Sequence, residues 1–264
     1  MLSIELMGGI GNQMFQIATI EVMAQEIGTD VYYADIDNFI EMLSRQTAWT
    51  THAREYLTIF KNLDLRKNQD WAVPPKRIVR VPFEYRRIIA EDDTRYVGYF
   101  QSESYFAHYR DFVLKSLEPS DDISARLSKY DDLLKGTTCS IHVRRGNYVQ
   151  LAHIHPPCDM DYYNRAMEYL RPYGIERYIV VSDDMTWCRE NFIGEKFVFV
   201  EDTDYICLFL QSRCTHHIIA NSSFSWWAAW IGQNVDKRTI APERWFGDDN
   251  NRAKDIVPWH WIKV

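Results

Sequence analysis

Short apolar runs alternate with amphipathic stretches along most of this chain, and the alternation divides it into elements. "SIELM" (3–7) predicts a strand, 13–27 a helix with Phe15, Ala18 and Val22 on one face, and "DVYYA" (30–34) a second strand. The second half is more regular. "TCSIHV", "RYIVVS", "KFVFVE", "HHIIAN" and the short "RTIAP" predict strands. "DYYNRAMEYLR", "DMTWCREN", 204–213 and "SFSWWAAWIG" predict helices between them, the last ended by Gly232. Four successive strand–helix units predict an α/β fold with a parallel sheet and right-handed crossovers. The middle, about 45–95, lacks this rhythm, and the prolines of "VPPKRIVRVP" argue for loops and edge segments. "SDDISARLSKYDDLLKG" offers a boundary, so the reading divides the chain into 1–130 and 131–264.

Composition narrows the picture further. A chain of 264 residues permits one large domain or two small ones, with a sizeable core. Its 37 acidic residues exceed 30 basic ones, which argues against general nucleic-acid affinity but leaves room for a local basic pocket. The five cysteines are odd in number and form no C-x-x-C pair, so neither a disulfide framework nor a structural zinc is expected, and a reducing compartment fits. "MLSIELMGG" has no signal-peptide pattern, and no stretch of about 18 uninterrupted apolar residues predicts a membrane span.

In an open α/β sheet, ligands bind beyond the C-terminal ends of the strands, and four such ends carry polar chemistry. The first is "MGGIGNQMF". It departs from the dinucleotide fingerprint, because Met14 stands where a third glycine would be, and no G-K-[ST] follows. It reads either as a tight turn with Asn12 capping a helix, or as a close backbone approach to a ligand involving Gly11, Asn12 and Gln13. The second is "HVRRGN". Alternation puts Ser140, His142 and Arg144 on one face, and Arg145 follows at the strand end. Two guanidiniums can grip a pyrophosphate, or can bridge acidic neighbours on a surface. The third is Ser182-Asp183-Asp184, where one aspartate suits a helix cap and the other could accept from a ligand. The fourth is "NSSF" (Asn221, Ser222, Ser223, Phe224), whose hydroxyls and backbone N–H groups suit an N-cap or a phosphate cradle. No grouping has metal-ligand spacing. Together these ends suit a nucleoside diphosphate met by arginine and N–H groups rather than by a metal.

"GGIGNQMFQIA", "GYFQSESYF", "HVRRGNYV", "VVSDDMTWCREN", "IIANSSFSWWAAWIG" and "IAPERWF" occur in this order. The combination resembles the inverting α-1,2-fucosyltransferase family (glycosyltransferase family 11). That resemblance implies a GT-B-like fold, two Rossmann-like domains facing across a cleft, with the acceptor side in 1–130 and the GDP-sugar side in 131–264. It implies a hexosyltransferase that takes fucose from GDP-fucose to the 2-hydroxyl of a terminal β-galactoside, with no metal and no cofactor. A cytoplasmic enzyme of polysaccharide biosynthesis is expected, free or peripheral at the inner face of a membrane. His142, Arg144 and Arg145 then form the catalytic group. Gly11, Asn12, Gln13, Asn147, Ser182, Asp183, Asp184, Asn221, Ser222, Ser223 and Phe224 form the donor-binding group, and Glu103, Asp183 and Asp184 are candidate bases. One position departs from the family pattern H-x-R-R-x-D: Asn147 replaces the aspartate and cannot act as a base. A related transferase with another GDP-sugar or linkage, or a weakly active GDP- or glycan-binding protein, is the alternative this departure raises.

Overall fold

The computed structural model describes residues 1–45, 52–69, 74–247 and 253–264. They form two compact units. The first comprises residues 1–122 together with Lys254–Ile256, and the second comprises 123–253 and Val257–Val264. The division falls at Asp122/Ile123, earlier than the 130/131 read from sequence, and the physical reason lies on one helix. Arg126, in the helix Asp121–Leu127, donates to the Tyr205 hydroxyl at 2.8 Å, and Arg213 donates to Asp131 at 2.5 Å, which ties 123–131 into the second unit. Asp255 belongs to the first unit because its carboxylate accepts the Tyr85 N–H at 3.1 Å.

The first unit holds a four-stranded parallel sheet in the order β2-β1-β4-β3, from β1 (Leu2–Glu5), β2 (Val31–Ala34), β3 (Arg77–Arg80) and β4 (Thr94–Val97). β3 is an edge strand, as the prolines flanking it require. The long helix α1 (Ile10–Ile27) follows β1. It begins three residues before the predicted 13–27, and its N-cap is Gly9 rather than Asn12. α2 (Ile36–Ser44) and α3 (Arg110–Ser116) complete the unit's α-helices among the described residues, apart from the first turn of α4 (Asp121–Leu127), whose body belongs to the second unit. Parts of the unpatterned 45–95 stretch lie outside the described residues.

The second unit is a six-stranded, wholly parallel sheet, ordered β10-β9-β8-β5-β6-β7. Its strands are β5 (Thr138–Val143), β6 (Arg177–Ser182), β7 (Phe197–Phe199), β8 (His216–Ile218), β9 (Thr239–Ala241) and β10 (Ile262–Lys263). Helices α5 (Met160–Leu170), α6 (Met185–Asn191), α7 (Asp204–Ser212) and α8 (Ser223–Ile231) follow β5, β6, β7 and β8 in turn. β5 is central, and all six of its residues are buried. Cys139, Ile141 and Val143 pack into the core shared with Tyr163 and Ala166 of α5. Its polar face is buried as well: Ser140 Oγ and His217 Nδ1 meet at 2.9 Å, and the His142 ring lies 5.0 Å from Phe224. Covered faces on both sides are what a parallel sheet requires.

The tryptophans Trp226, Trp227 and Trp230 of α8 are buried, as their apolar helical run demands. Gly232 ends α8 with φ −59° and ψ 131°, not in the left-handed conformation usual for a terminating glycine. It is needed for space instead: a Cβ there would come within 2.9 Å of the Ser212 carbonyl and 3.0 Å of His217 Nε2.

Candidate active site

β5 lies between β6 and β8, so the three chain segments that leave these strands at their C-terminal ends are neighbours. Arg144 and Arg145 follow β5, Ser182–Asp184 end β6, and Asn221–Ser223 lead from β8 into α8. Of the two sequence readings of the arginine pair, the bridge to acidic neighbours is present, each arginine meeting an aspartate that follows β6.

Asp183 sits beneath both arginines. Its side chain is 4% exposed. Oδ1 accepts the Arg145 backbone N–H at 2.8 Å, and Oδ2 lies 2.8 Å from Arg144 Nη1. That second contact is an ion pair without a directed hydrogen bond, because the N–H vectors of Arg144 do not point along it. Arg144 Nη2 donates to Asn147 Oδ1 at 2.7 Å, and the guanidinium lies over the Tyr148 ring, 5.1 Å from its centroid. Arg145 is held in parallel fashion. Its Nε donates to Asp184 Oδ2 at 3.1 Å, and its guanidinium stands 4.4 Å from the centre of the Trp187 ring. A guanidinium carries five N–H donors, so these contacts leave donors on each arginine, which are 28% and 22% exposed.

Gly146 makes the arrangement possible, since a Cβ there would meet Asp183 Oδ2 at 2.5 Å. Asp184 caps α6 through Oδ1, which accepts the Trp187 N–H at 3.1 Å, and Ser182 Oγ accepts the Asp184 N–H at 2.8 Å. Of the three residues expected on the donor side from sequence, Asp183 and Asp184 hold the arginines and Ser182 holds Asp184. The Asp183 side chain is almost wholly covered by these contacts.

His142 is buried, and its Nδ1 finds no hydrogen-bond partner. Burial, reinforced by the positive charge of Arg144, pushes its pKa down to about 3. It is therefore neutral near pH 7, and its ring packs against Phe224. Asn221 is also structural. Its Nδ2 donates to the carbonyls of Pro156 at 3.0 Å and Trp245 at 2.9 Å. Ser222 is the α8 N-cap residue, but its hydroxyl makes no capping bond. Ser223 begins the helix, and Phe224 packs on His142.

Gly11, Asn12 and Gln13 lie in the first turn of α1 in the other unit. There a set of amides shapes the glycine loop. Gln13 donates to the Gly8 carbonyl at 2.9 Å, Gln16 accepts the Met7 N–H at 2.9 Å and donates to Gly98 at 3.2 Å, and Gln101 donates to Asn12 at 2.7 Å. Gly8 itself turns with φ +73°. The neighbouring Phe100 is buried at φ +53°, a strained position that a packed loop can hold.

Tyr148, Trp187, Gly146 and Gln101 were not singled out from the sequence. The first two stand four residues after Arg144 and three after Asp184, spacings that a search for arginine-stacking aromatics would have caught.

No helix among the described residues is long and apolar enough to cross a membrane. An α-1,2-colitosyltransferase of Escherichia coli is 29% identical over 286 residues, covering 98% of this chain and 97% of that protein. A galactoside α-(1,2)-fucosyltransferase 2 of Gorilla gorilla gorilla is 28% identical over 255 residues, covering 88% and 69%. The crystal structure of the NodZ α-1,6-fucosyltransferase soaked with GDP-fucose aligns with a TM-score of 0.54 and 13% identity, over 87% of this chain and 92% of that one. The fold is thus GT-B-like, built from two α/β units with parallel sheets. The profile of Glycosyl transferase family 11 matches residues 1–264, and the chain is a glycosyltransferase belonging to that family.

Proposed function

We propose that this glycosyltransferase moves fucose from GDP-fucose to the 2-hydroxyl of a terminal β-galactoside, with inversion and without a metal. The observation that carries the reading is the pair of arginines at the end of β5, each fixed by an aspartate from β6 and an aromatic ring, beside the N-terminus of α8. In a single displacement, the acceptor hydroxyl oxygen bonds to the anomeric carbon and gives up its proton to solvent, as the bond from that carbon to the β-phosphate oxygen breaks and GDP leaves with the electron pair. The negative charge gathering on GDP falls to Arg144, Arg145 and the α8 N–H groups. Guanidiniums remain charged at any working pH, which suits departure of the diphosphate without a cation. Of the three carboxylates considered as base, Asp183 and Asp184 already hold arginines. We assign the donor side to the second unit and the acceptor side to the first.

A second reading has a specific observation behind it. The relative at 29% identity is named for colitose, not fucose, so the same 1,2 linkage could be made with another GDP-linked deoxysugar.

Calorimetry with GDP, GDP-fucose, GDP-mannose and UDP-galactose, followed by linkage analysis of the product from a lactose-type acceptor, tests both readings. Binding of guanosine nucleotides, turnover with GDP-fucose and an α-1,2 product are expected, all undiminished by a chelator. Arg144→Ala is expected to lower turnover by about 10²–10³, the range for loss of one charge-stabilising donor. Near-normal transfer by that variant would sink the role given to Arg144.

A further inference from the structure

We propose that Asn147 is a positioning residue for Arg144, and that its lack of charge sets how strongly the arginine pair attracts an anion. The inference rests on the donor-side reading above. Asn147 Oδ1 accepts from Arg144 Nη2 at 2.7 Å, so a neutral amide oxygen supplies the hydrogen bond, more weakly than a carboxylate would but without its charge. The main chain of Asn147 is held by the turn it sits in. Asn147 lies in the 3₁₀ turn Gly146–Tyr148, and its own carbonyl accepts the Leu151 N–H at 3.1 Å.

Charge decides what the substitution changes. Arg144 and Arg145 already face Asp183 and Asp184, two guanidiniums against two carboxylates. Asp183 alone is close enough to neutralise Arg144. A third carboxylate at position 147 would hold Arg144 more tightly, but it would place a further negative charge where a diphosphate must approach. An amide at position 147 therefore supplies the hydrogen bond to Arg144 without adding that negative charge. Asn147 is solvent-exposed, so substitutions there do not threaten the core.

GDP binding by the full chain tests this, measured by calorimetry for the wild type, Asn147→Asp and Asn147→Ala at about 0.1 M and about 1 M salt. Asn147→Asp is expected to bind GDP about three- to tenfold more weakly at the lower salt, as one added charge some ångströms from a phosphate implies. The deficit should shrink at the higher salt, where the Debye length falls from about 10 Å to about 3 Å. Asn147→Ala, which removes the acceptor without adding charge, should show a loss that salt does not relieve. A merely structural residue would give no such split. If Asn147→Asp binds GDP as tightly as the wild type, or its loss is indifferent to salt, this inference fails while the donor-side reading stands. If the wild type itself binds no GDP, both fall.

Discussion

Asp183→Asn is the sharpest test of how the arginine pair is built. The substitution keeps size and shape, and removes one charge at a side chain only 4% exposed. Three changes follow. The Arg145 N–H, now 2.8 Å from a carboxylate oxygen, would face an amide oxygen, roughly halving a charge-assisted bond worth about 1.5–3 kcal/mol. The Arg144 ion pair at 2.8 Å would be lost, with an amide N–H set against a guanidinium N–H. Arg144 is 28% exposed and can rehydrate, and relief of the aspartate's desolvation offsets part of the loss. The net is about 2 kcal/mol of destabilisation. Urea unfolding followed by tryptophan fluorescence is the suitable assay, because seven of the nine tryptophans lie at or beyond residue 187, in the second unit. An unchanged m-value would confirm that the comparison is of stability alone. With Arg144 no longer held from below, GDP binding should also weaken about tenfold. A stability change under about 0.5 kcal/mol, or GDP binding tighter than in the wild type, would refute the claim that Asp183 supports the arginines.

Three further outcomes follow from the same geometry. Gly146→Ala puts a methyl 2.5 Å from Asp183 Oδ2, and Asp183 can move only by leaving its arginine contacts. GDP affinity should therefore drop about tenfold in calorimetry, while the circular dichroism spectrum stays that of the wild type. Gly232→Ala meets the Ser212 carbonyl and His217 Nε2, and should destabilise the second unit by about 1–3 kcal/mol in urea; a neutral result would mean that α8 can shift freely. His142 imposes a pH dependence. Its pKa of about 3 in the folded chain lies below the ordinary 6.5, so between these values the unfolded chain holds the extra proton. The stability linked to His142 is fully present above about pH 6.5 and is lost as pH falls toward about 3, at up to about 1.4 kcal/mol per pH unit. In His142→Asn the slope of unfolding free energy between pH 5 and 6 should lessen by that amount, and an unchanged slope would contradict the buried neutral imidazole.

Element types in the second half were legible because period and punctuation agreed. "RYIVVS" is a strand over Arg177–Ser182, and "SFSWWAAWI" is a helix over Ser223–Ile231. The first half was harder to read. β4 (Thr94–Val97) has only four residues and no flanking helix pattern, and β3 is a strand through its pairing with β4 rather than through its own sequence. The seam between units falls within the segment read from sequence as a boundary, 120–136, but its position inside that segment is set by arginine contacts with distant positions, which no local composition reveals.

At the arginine pair the division between sequence and structure is clear. Residue order alone established that two guanidiniums, two carboxylates and a serine-bearing helix start stand at the ends of strands, since periodicity locates strand ends and the fold class places ligands there. It could not say which polar group faces a ligand and which faces another side chain, because that depends on which strands are neighbours. Only the pairing of β5 with β6 sets Asp183 beneath Arg144 and Arg145, turning an expected ligand contact into a support. Only the turn after β5 brings the Asn147 amide oxygen to Arg144, turning an apparent defect in a motif into a neutral hydrogen-bond acceptor.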